Sequence, residues 1–337
     1  MEGEWCTGID NISNAVTEYF DRLFSSSHPS LLDMDTVLSC VKPKVSQRMN
    51  EHLSRPFSGE EIRTALAEMP PTKSPGPDGM LGLFFQKYWD IHTIGSNGLF
   101  LEGMMLRLGF AESWVKLIMR CVSSVSYSFL INRQVTGAVI PHRGLRQGDP
   151  LSPYLFVICA HGLSEMLACF EERKRFIGIK IASGCPSISH LFFADDSLIF
   201  CKANLSEATH LKACLTSYAK ASGQQINFDK SALSFSPNTR SNDKTTVCSV
   251  FGVNQVQSHE LYLGLRTFSM KNKRIQFGYI RDRVIRKLQG WKERTFSQGG
   301  KEVLLKSVVQ SIPTYTMSCL ILPDSLVHDI EAACARF

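Results

Sequence analysis

The chain has 337 residues, of which 44% are hydrophobic and 20% charged. That length and apolar content suit about two packed domains and exclude a disordered tail, a collagen-like rod and a coiled coil. The formal net charge of +6 is unevenly placed: Arg266 to Lys306 holds 12 Lys or Arg against 3 Asp or Glu, which leaves the remainder slightly acidic. Such a basic block reads either as a polyanion contact or as a solvated helix face.

In chain order, Ile12, Val16, Tyr19 and Phe20 recur at helical spacing, with Leu23 and Phe24 continuing the stripe until Ser25-Ser26-Ser27-His28-Pro29-Ser30 ends it. Ser58-Gly59-Glu60-Glu61 has the pattern of a capping box opening a second helix, whose stripe is Ile62, Leu66 and Met69 and whose stop is Pro70-Pro71. Lys73-Ser74-Pro75-Gly76-Pro77-Asp78-Gly79 is a rigid, glycine-punctuated loop. Glu102 to Leu108 and Ser113 to Cys121 read as helices. Ser126 to Ile131 and Val135 to Ile140 read as strands joined by an Asn132-Arg133-Gln134 turn.

The loop Arg143 to Pro150 leads into a helix from about Ser152 to Cys169, with Ser152 as N-cap and Pro153 at the first helical position. His161, Ser164 and Glu165 interrupt its apolar run, Leu155 to Phe170, so no stretch reaches the roughly 18 apolar residues of a membrane span. Two short apolar runs, His190 to Ala194 and Leu198 to Cys201, flank Asp195-Asp196-Ser197. Ser206 to Ser222 is helical, Gly223-Gln224-Gln225 turns into Ile226-Asn227-Phe228, and helices dominate from Arg274 onward. Strand pairs mixed with helices, without βαβ alternation, indicate an α+β fold. The 11 cysteines include no CxxC pair, so zinc and redox dithiols are not indicated, and the thiols are expected to be reduced and mostly buried. Met1-Glu2-Gly3-Glu4 lacks the basic and apolar regions of a signal peptide, so the chain is expected inside the cell, neither secreted nor in a membrane.

The sharpest chemical feature is the adjacent pair Asp195 and Asp196 between strand-like runs, which places two carboxylates at the tip of a hairpin. Like charges side by side call for compensating cations, and Mg²⁺ takes such oxygen ligands together with substrate phosphates. In isolation, an ordinary Asp-rich turn is the better explanation of the pair. Arg146, Gln147 and Gly148 form a loop able to meet phosphate or base, and Lys230 follows a short strand at 226–228.

The order of these segments is more informative than any one of them. Pro75-Gly76-Pro77-Asp78-Gly79 comes first, then Arg146-Gln147-Gly148-Asp149-Pro150-Leu151-Ser152-Pro153 and Phe193-Ala194-Asp195-Asp196. Gly223-Gln224-Gln225-Ile226-Asn227-Phe228-Asp229-Lys230-Ser231 and Tyr262-Leu263-Gly264 come next. This succession resembles the reverse transcriptase of non-LTR (LINE-type) retrotransposons, the plant elements in particular. Gly290-Trp291-Lys292, Gln298-Gly299-Gly300-Lys301 and Ile312-Pro313-Thr314-Tyr315-Thr316-Met317 extend the resemblance, which runs from about Phe57 to the end.

The resemblance implies a right-hand polymerase with fingers, palm and thumb. Residues 1–55 would be a helical N-terminal extension, 56–92 a fingers fragment, 93–265 the palm and 266–337 a helical, basic thumb. It implies Asp195 and Asp196 as palm carboxylates holding Mg²⁺, with Phe193 where many reverse transcriptases carry tyrosine. Arg146, Gln147 and Gly148 would lie by template and nucleotide, Lys230 near the pyrophosphate, and Tyr262, Leu263 and Gly264 in the primer grip. The expected partners are an RNA template and a DNA primer, with no small-molecule cofactor; protein partners are left open.

One departure matters. Tyr88-Trp89-Asp90 matches the family upstream of motif A, and Phe100-Leu101-Glu102-Gly103-Met104-Met105 already matches the family's segment downstream of it. Only Ile91 to Leu99 stands between. The motif A strand, with the aspartate that bridges both metals, and the finger motif before it are therefore expected to be deleted. That leaves an incomplete palm with exposed apolar surface and strand edges. The resemblance also implies parts beyond both ends, an N-terminal endonuclease and a continuation past Ala335-Arg336-Phe337. The reading is a LINE-type reverse transcriptase domain without polymerase activity. Two alternatives stay open: an active RNA-directed DNA polymerase in which Asp90 or another carboxylate substitutes, and a non-catalytic nucleic-acid-binding remnant. Ile280, Val284, Leu288 and Trp291 share one helix face, leaving Arg281, Arg283, Arg286 and Lys287 on others, free for phosphates.

Overall fold

The computed structural model describes residues 5, 7–26, 28–68, 99–123, 126–145, 149–256, 273–291 and 296–337. They divide into two compact units, Met1–Asn227 with Thr245–Phe251, and Phe228–Lys244 with Gly252–Phe337.

In the first unit, α1 (Ile9–Phe24) lies on the hairpin of β1 (Tyr127–Ile131) and β2 (Gln134–Val139), with Phe20 stacked on Phe129 and Phe24 on Tyr127. The hairpin turns at Asn132 and Arg133, both left-handed (φ 49° and 69°), which suits the twist of a two-residue turn. After α1 come two short helices that hydrophobic spacing does not reveal. These are α2 (Leu31–Leu38), capped by Ser30 and Asp33, and α3 (Gln47–Leu53), capped by Ser46. At 8 and 7 residues they are too short to carry a stripe. The capping box of α4 (Gly59–Glu68) forms as its sequence predicts: the Glu61 N–H donates to Ser58 Oγ at 3.2 Å, and the Ser58 N–H donates to Glu61 Oε2 at 3.0 Å.

The core gathers around α5 (Leu99–Leu108), α6 (Glu112–Ser123), α7 (Ser152–Glu172) and α8 (Leu205–Ser222). Met104, Met166, Leu167, Phe176, Leu211 and Tyr218 pack with Val37 of α2 in one cluster, while Met105, Val115, Ile118 and Leu155 form a second beside it. Gly162 lets α5 approach α7, since a Cβ there would stand 2.9 Å from Met104 Sδ. Gly223, at φ 72°, closes α8 in the left-handed region.

Three expectations are corrected here. Ser152 is already helical, Pro153 comes after it, and Leu151 is the N-cap; Asp149 does the capping, its Oδ1 accepting the Leu151 N–H at 2.8 Å and its carbonyl the Ser152 N–H at 3.2 Å. Folded to 21 residues, α7 is long and apolar enough to cross a membrane by length and composition, although in this structure it buries Leu155, Met166 and Leu167 in the core. Of the ten described cysteines only Cys214 is buried and Cys121, Cys185 and Cys319 are exposed, so the thiols are mostly half-buried, and none is bridged. Burial pushes the Cys159 and Cys214 thiols up to about 12, which keeps them protonated.

The second unit is helical. A parallel bridge joins Leu233 to Gln255, and the chain continues through α10 (Lys273–Gly290), α11 (Gln298–Leu304), a π-helical turn (Leu305–Val309), α12 (Ser311–Cys319) and α13 (Asp324–Arg336). Between Lys230 and α10 lies α9 (Ser241–Phe251), which both units share. Phe277 and Ile280 of α10 pack with Leu326 of α13, and Val284 and Leu288 with Val309 and Ala333. Helices with separate antiparallel hairpins agree with the α+β expectation.

Candidate active site

The carboxylate pair sits on the hairpin of β3 (His190–Phe193) and β4 (Asp196–Ile199). His190 faces Ile199, Leu191 faces Leu198, Phe192 faces Ser197 and Phe193 faces Asp196, leaving Ala194 and Asp195 as the two-residue turn. Ala194 takes φ 50°, the left-handed value such a turn needs. Side chains alternate along a strand, so the pairing register assigns each to a face. Phe192 and Ile199 share the face that packs on the core. Phe193 and Asp196 share the opposite face, where Phe193 is 61% and Leu191 45% exposed. Asp195 and Asp196 are both exposed. Phe193 and Leu191 thus present apolar surface on the outer face of this hairpin.

Its base is tied to α7. Ser164 Oγ lies 2.7 Å from His190 Nε2, and Ser189 Oγ 3.0 Å from His190 Nδ1. Glu171 accepts the Gly178 N–H at 3.3 Å. Burial works to raise the Glu171 carboxyl, but the neighbouring hydroxyls of Ser187 and Ser189, the Gly178 N–H and His190 outweigh it and hold the group below its ordinary range. Burial pushes His190 down, and it does the same to His161, whose Nε2 stands 3.3 Å from Glu165 Oε1 without forming a well-aligned hydrogen bond. The Ser164–His190 contact spans 26 residues of chain and has no signal in the sequence.

These depressed values set a pH dependence. A histidine whose folded pKa lies below its ordinary 6.5 contributes stability that is complete above that value and lost as pH falls through the folded one. Glu171 adds a loss of the same sign at lower pH, as its own depressed value is reached. The thermal midpoint of the first unit is therefore expected to fall between about pH 7.5 and 5.5, and the double variant His161→Asn, His190→Asn to flatten that fall. Equal slopes in the variant and the parent would contradict the assignment.

Among the described residues no three of His, Cys, Asp and Glu come together to hold a metal ion. Asp195 and Asp196 place two exposed carboxylates at the hairpin tip. Asp149 is engaged in capping α7. Lys230 is exposed, in a turn at 228–230 of the second unit. Asp90, Arg146, Gln147, Gly148, Tyr262, Leu263 and Gly264, with the loop at 74–79, lie outside the described residues.

On α10, Ile280, Val284 and Leu288 are buried, as their spacing predicts, and Trp291, just past its end, is half-buried against Phe337. Arg283, Arg286 and Lys287 are exposed, and among the described residues no carboxylate pairs with them. Arg281 departs from expectation: its Nη2 lies 2.8 Å from Asp282 Oδ1 and its Nη1 3.8 Å from Asp329 Oδ2, so it is already compensated. Lys301 is likewise engaged, its Nζ donating to the Phe337 carbonyl at 2.6 Å.

The profile of the reverse transcriptase (RNA-dependent DNA polymerase) family matches residues 104–280, just over half of the chain. The chain belongs to this reverse transcriptase family, in its non-LTR retrotransposon branch. The reverse transcriptase domain is 51% identical over 69 residues to an uncharacterized mitochondrial protein of Arabidopsis thaliana, a match spanning 20% of this chain and 57% of that protein. It is 38% identical over 86 residues to the transposon TX1 149 kDa protein of Xenopus laevis (26% of this chain, 6% of that one). It is also 27% identical over 128 residues to the retrovirus-related Pol polyprotein from the type-1 retrotransposable element R2 of Popillia japonica (38% and 20%). The chain thus spans between 6% and 57% of the length of these relatives.

Proposed function

We propose that this reverse transcriptase domain is catalytically defective and keeps the capacity to hold a primer–template duplex. In this reading residues 56–92 belong to the fingers, 93–265 to a palm without motif A and 266–337 to a basic thumb, while 1–55 precede them. Asp195 and Asp196 are the remaining metal-binding carboxylates. Arg146, Gln147 and Gly148 serve the template and nucleotide, Lys230 the pyrophosphate, and Tyr262, Leu263 and Gly264 the primer. The observation that carries the reading is the carboxylate pair itself, exposed on a hairpin tip with no third acidic partner among the described residues. The family match, which begins at residue 104, downstream of Ile91–Leu99, supports it.

The duplex contact is assigned to Arg283, Arg286 and Lys287 on the outer face of α10. Contacts to phosphate release counterions, so affinity falls linearly on a log scale as salt rises, by about one unit of slope per phosphate neutralised. Binding of an RNA–DNA duplex is expected to be indifferent to sequence. Neutralising Arg283, Arg286 and Lys287 together should flatten the slope by about 2 to 3, and adding Arg281→Ala should change it by less than about 1, because Asp282 and Asp329 already hold that side chain. A slope unaltered by the triple variant would assign these residues to a merely solvated face.

A further inference from the structure

Three thiols converge where the chain after α2 crosses α7, and neither the carboxylate pair nor α10 uses them. Residues 40–44 run along one stripe of α7: Lys44 Nζ lies 2.8 Å from Glu165 Oε1, and Lys42 Nζ 3.5 Å from Glu172 Oε1. Glu165, Cys169 and Glu172 follow i, i+4, i+7, so Cys169 shares that face between the two ion pairs. Cys40, at the head of the crossing segment, packs on the same core cluster as Leu167 and Phe170, and its thiol meets the Cys169 thiol side chain to side chain. Cys214 of α8 approaches both from the core.

The three differ in what can reach them. Cys214 has 0% exposure, whereas Cys40 and Cys169 are half-buried. Burial first, and then the Cys169 thiol beside it, push the Cys40 thiol up to about 11, so Cys40 holds its proton. Cys169 is thus the thiol of the three that stands open to an electrophile, with Cys40 beside it as a second sulfur already in contact. Arg173, one turn along from Cys169, opposes the rise at Cys40 and favours its thiolate. Among the described residues no three His, Cys, Asp or Glu side chains are placed to hold a metal ion, so the chemistry left to this group is that of thiols with one another.

We propose that Cys40 and Cys169 form a site of reversible oxidation, closing to a disulfide that staples the end of α2 to α7 when a hydroperoxide is the oxidant. The Cys169 sulfur attacks the peroxide oxygen, the O–O bond breaks, and a sulfenic acid remains on Cys169. The Cys40 sulfur then bonds to the Cys169 sulfur, the S–O bond breaks, and the hydroxyl leaves with the Cys40 proton as water. In sum, two thiols and one hydroperoxide give one disulfide, one alcohol (water where the oxidant is hydrogen peroxide) and one water, with two electrons passing from sulfur to the peroxide. A thiol reductant reverses the bond. The link closes the long loop of residues 40–169, which restricts the unfolded chain and so stabilises the folded one. It also fixes α7, the helix whose Ser164 holds the base of the carboxylate hairpin. The site stands if the duplex reading fails, because it shares no residue with α10.

The test treats the intact, reduced chain with a stoichiometric amount of hydrogen peroxide and then blocks free thiols with N-ethylmaleimide. Digestion with trypsin and a glutamate-specific protease separates Cys169 from Cys159 at Glu165, and mass spectrometry without reductant reads the links. The expected result is an intramolecular Cys40–Cys169 link that dithiothreitol removes. Oxidation should also raise the thermal midpoint by about 5 °C or more in the parent and not in Cys169→Ala. The map of the parent requires no variant, so it decides the case in which Cys40→Ala or Cys169→Ala perturbs folding. Cys319→Ala, at an exposed thiol of the other unit, should leave both the link and the midpoint rise unchanged. Links drawn from the exposed Cys121, Cys185 and Cys319 instead, a link that takes Cys214 or Cys159 in place of either partner, sulfinic acid on Cys169 with Cys40 still alkylated, or an unmoved midpoint in the oxidised parent would each overturn the proposal.

Discussion

Given an RNA template, an annealed DNA primer, Mg²⁺ and deoxynucleoside triphosphates, the purified chain is expected to leave the primer unextended. Phosphoryl transfer at a two-metal site needs ions about 4 Å apart, with carboxylates fixed so that one of them spans both. The β3–β4 register assigns Asp196 to the outer face with Phe193 and leaves Asp195 in the turn, both open to solvent. Two adjacent carboxylates on one hairpin cannot reproduce a bridge that a neighbouring strand would supply. Since such sites provide rate enhancements of about 10⁶ or more, losing the bridge should reduce extension to background rather than merely slow it. Extension above background that Asp195→Ala, Asp196→Ala abolishes would refute this and favour an active enzyme with a substitute carboxylate. Retained duplex binding without extension would fit the reading of α10, and loss of both would confine any function to other surfaces.

The second large effect is on stability. Phe176 has 0% exposure and lies between α7 and α8, outside any helix. It packs in the cluster of Val37, Met104, Met166, Leu167 and Leu211, which joins four helices. The backbone around it is pinned, the Arg175 N–H by the Phe170 carbonyl at 2.9 Å and the Ile177 N–H by Glu207 Oε2 at 3.1 Å, so the site cannot collapse onto a smaller side chain. Phe176→Ala should therefore cost ~3–5 kcal/mol, the range for emptying a rigid core position. Against a total of about 5–15 kcal/mol, that is a large fraction of the stability. Urea unfolding monitored by circular dichroism would measure it. Phe193→Ser, at an exposed ring on the hairpin's outer face, should move the midpoint little. A Phe176→Ala midpoint as close to the parent as that of Phe193→Ser would show that the core does not depend on this residue.

What could be read from the sequence divides along a physical line. The capping box at Ser58 and Glu61, the Asn132–Arg133 turn, the tight hairpin bearing Asp195 and Asp196, and the apolar stripe of α10 all rest on interactions within a few residues. Such interactions act before any tertiary structure forms, so spacing and residue type alone determined them. The family, too, was legible, because it is written in the order of short segments along the chain.

Only the tertiary structure decided the rest. Arg281 was indistinguishable from Arg283 by spacing, since Asp282 adjoins both; in the structure Arg281 takes Asp282 and also reaches Asp329 of α13, 48 positions away, brought beside α10 by packing of the two helices. The apolarity of α7 is compatible with a membrane span or a core helix until α5 and α8 are placed against it. The Ser164–His190 tie joins residues far apart in sequence whose types carry no mutual signal. Contacts of that kind arise from how whole elements bury their apolar faces, a collective outcome that no local window of sequence contains.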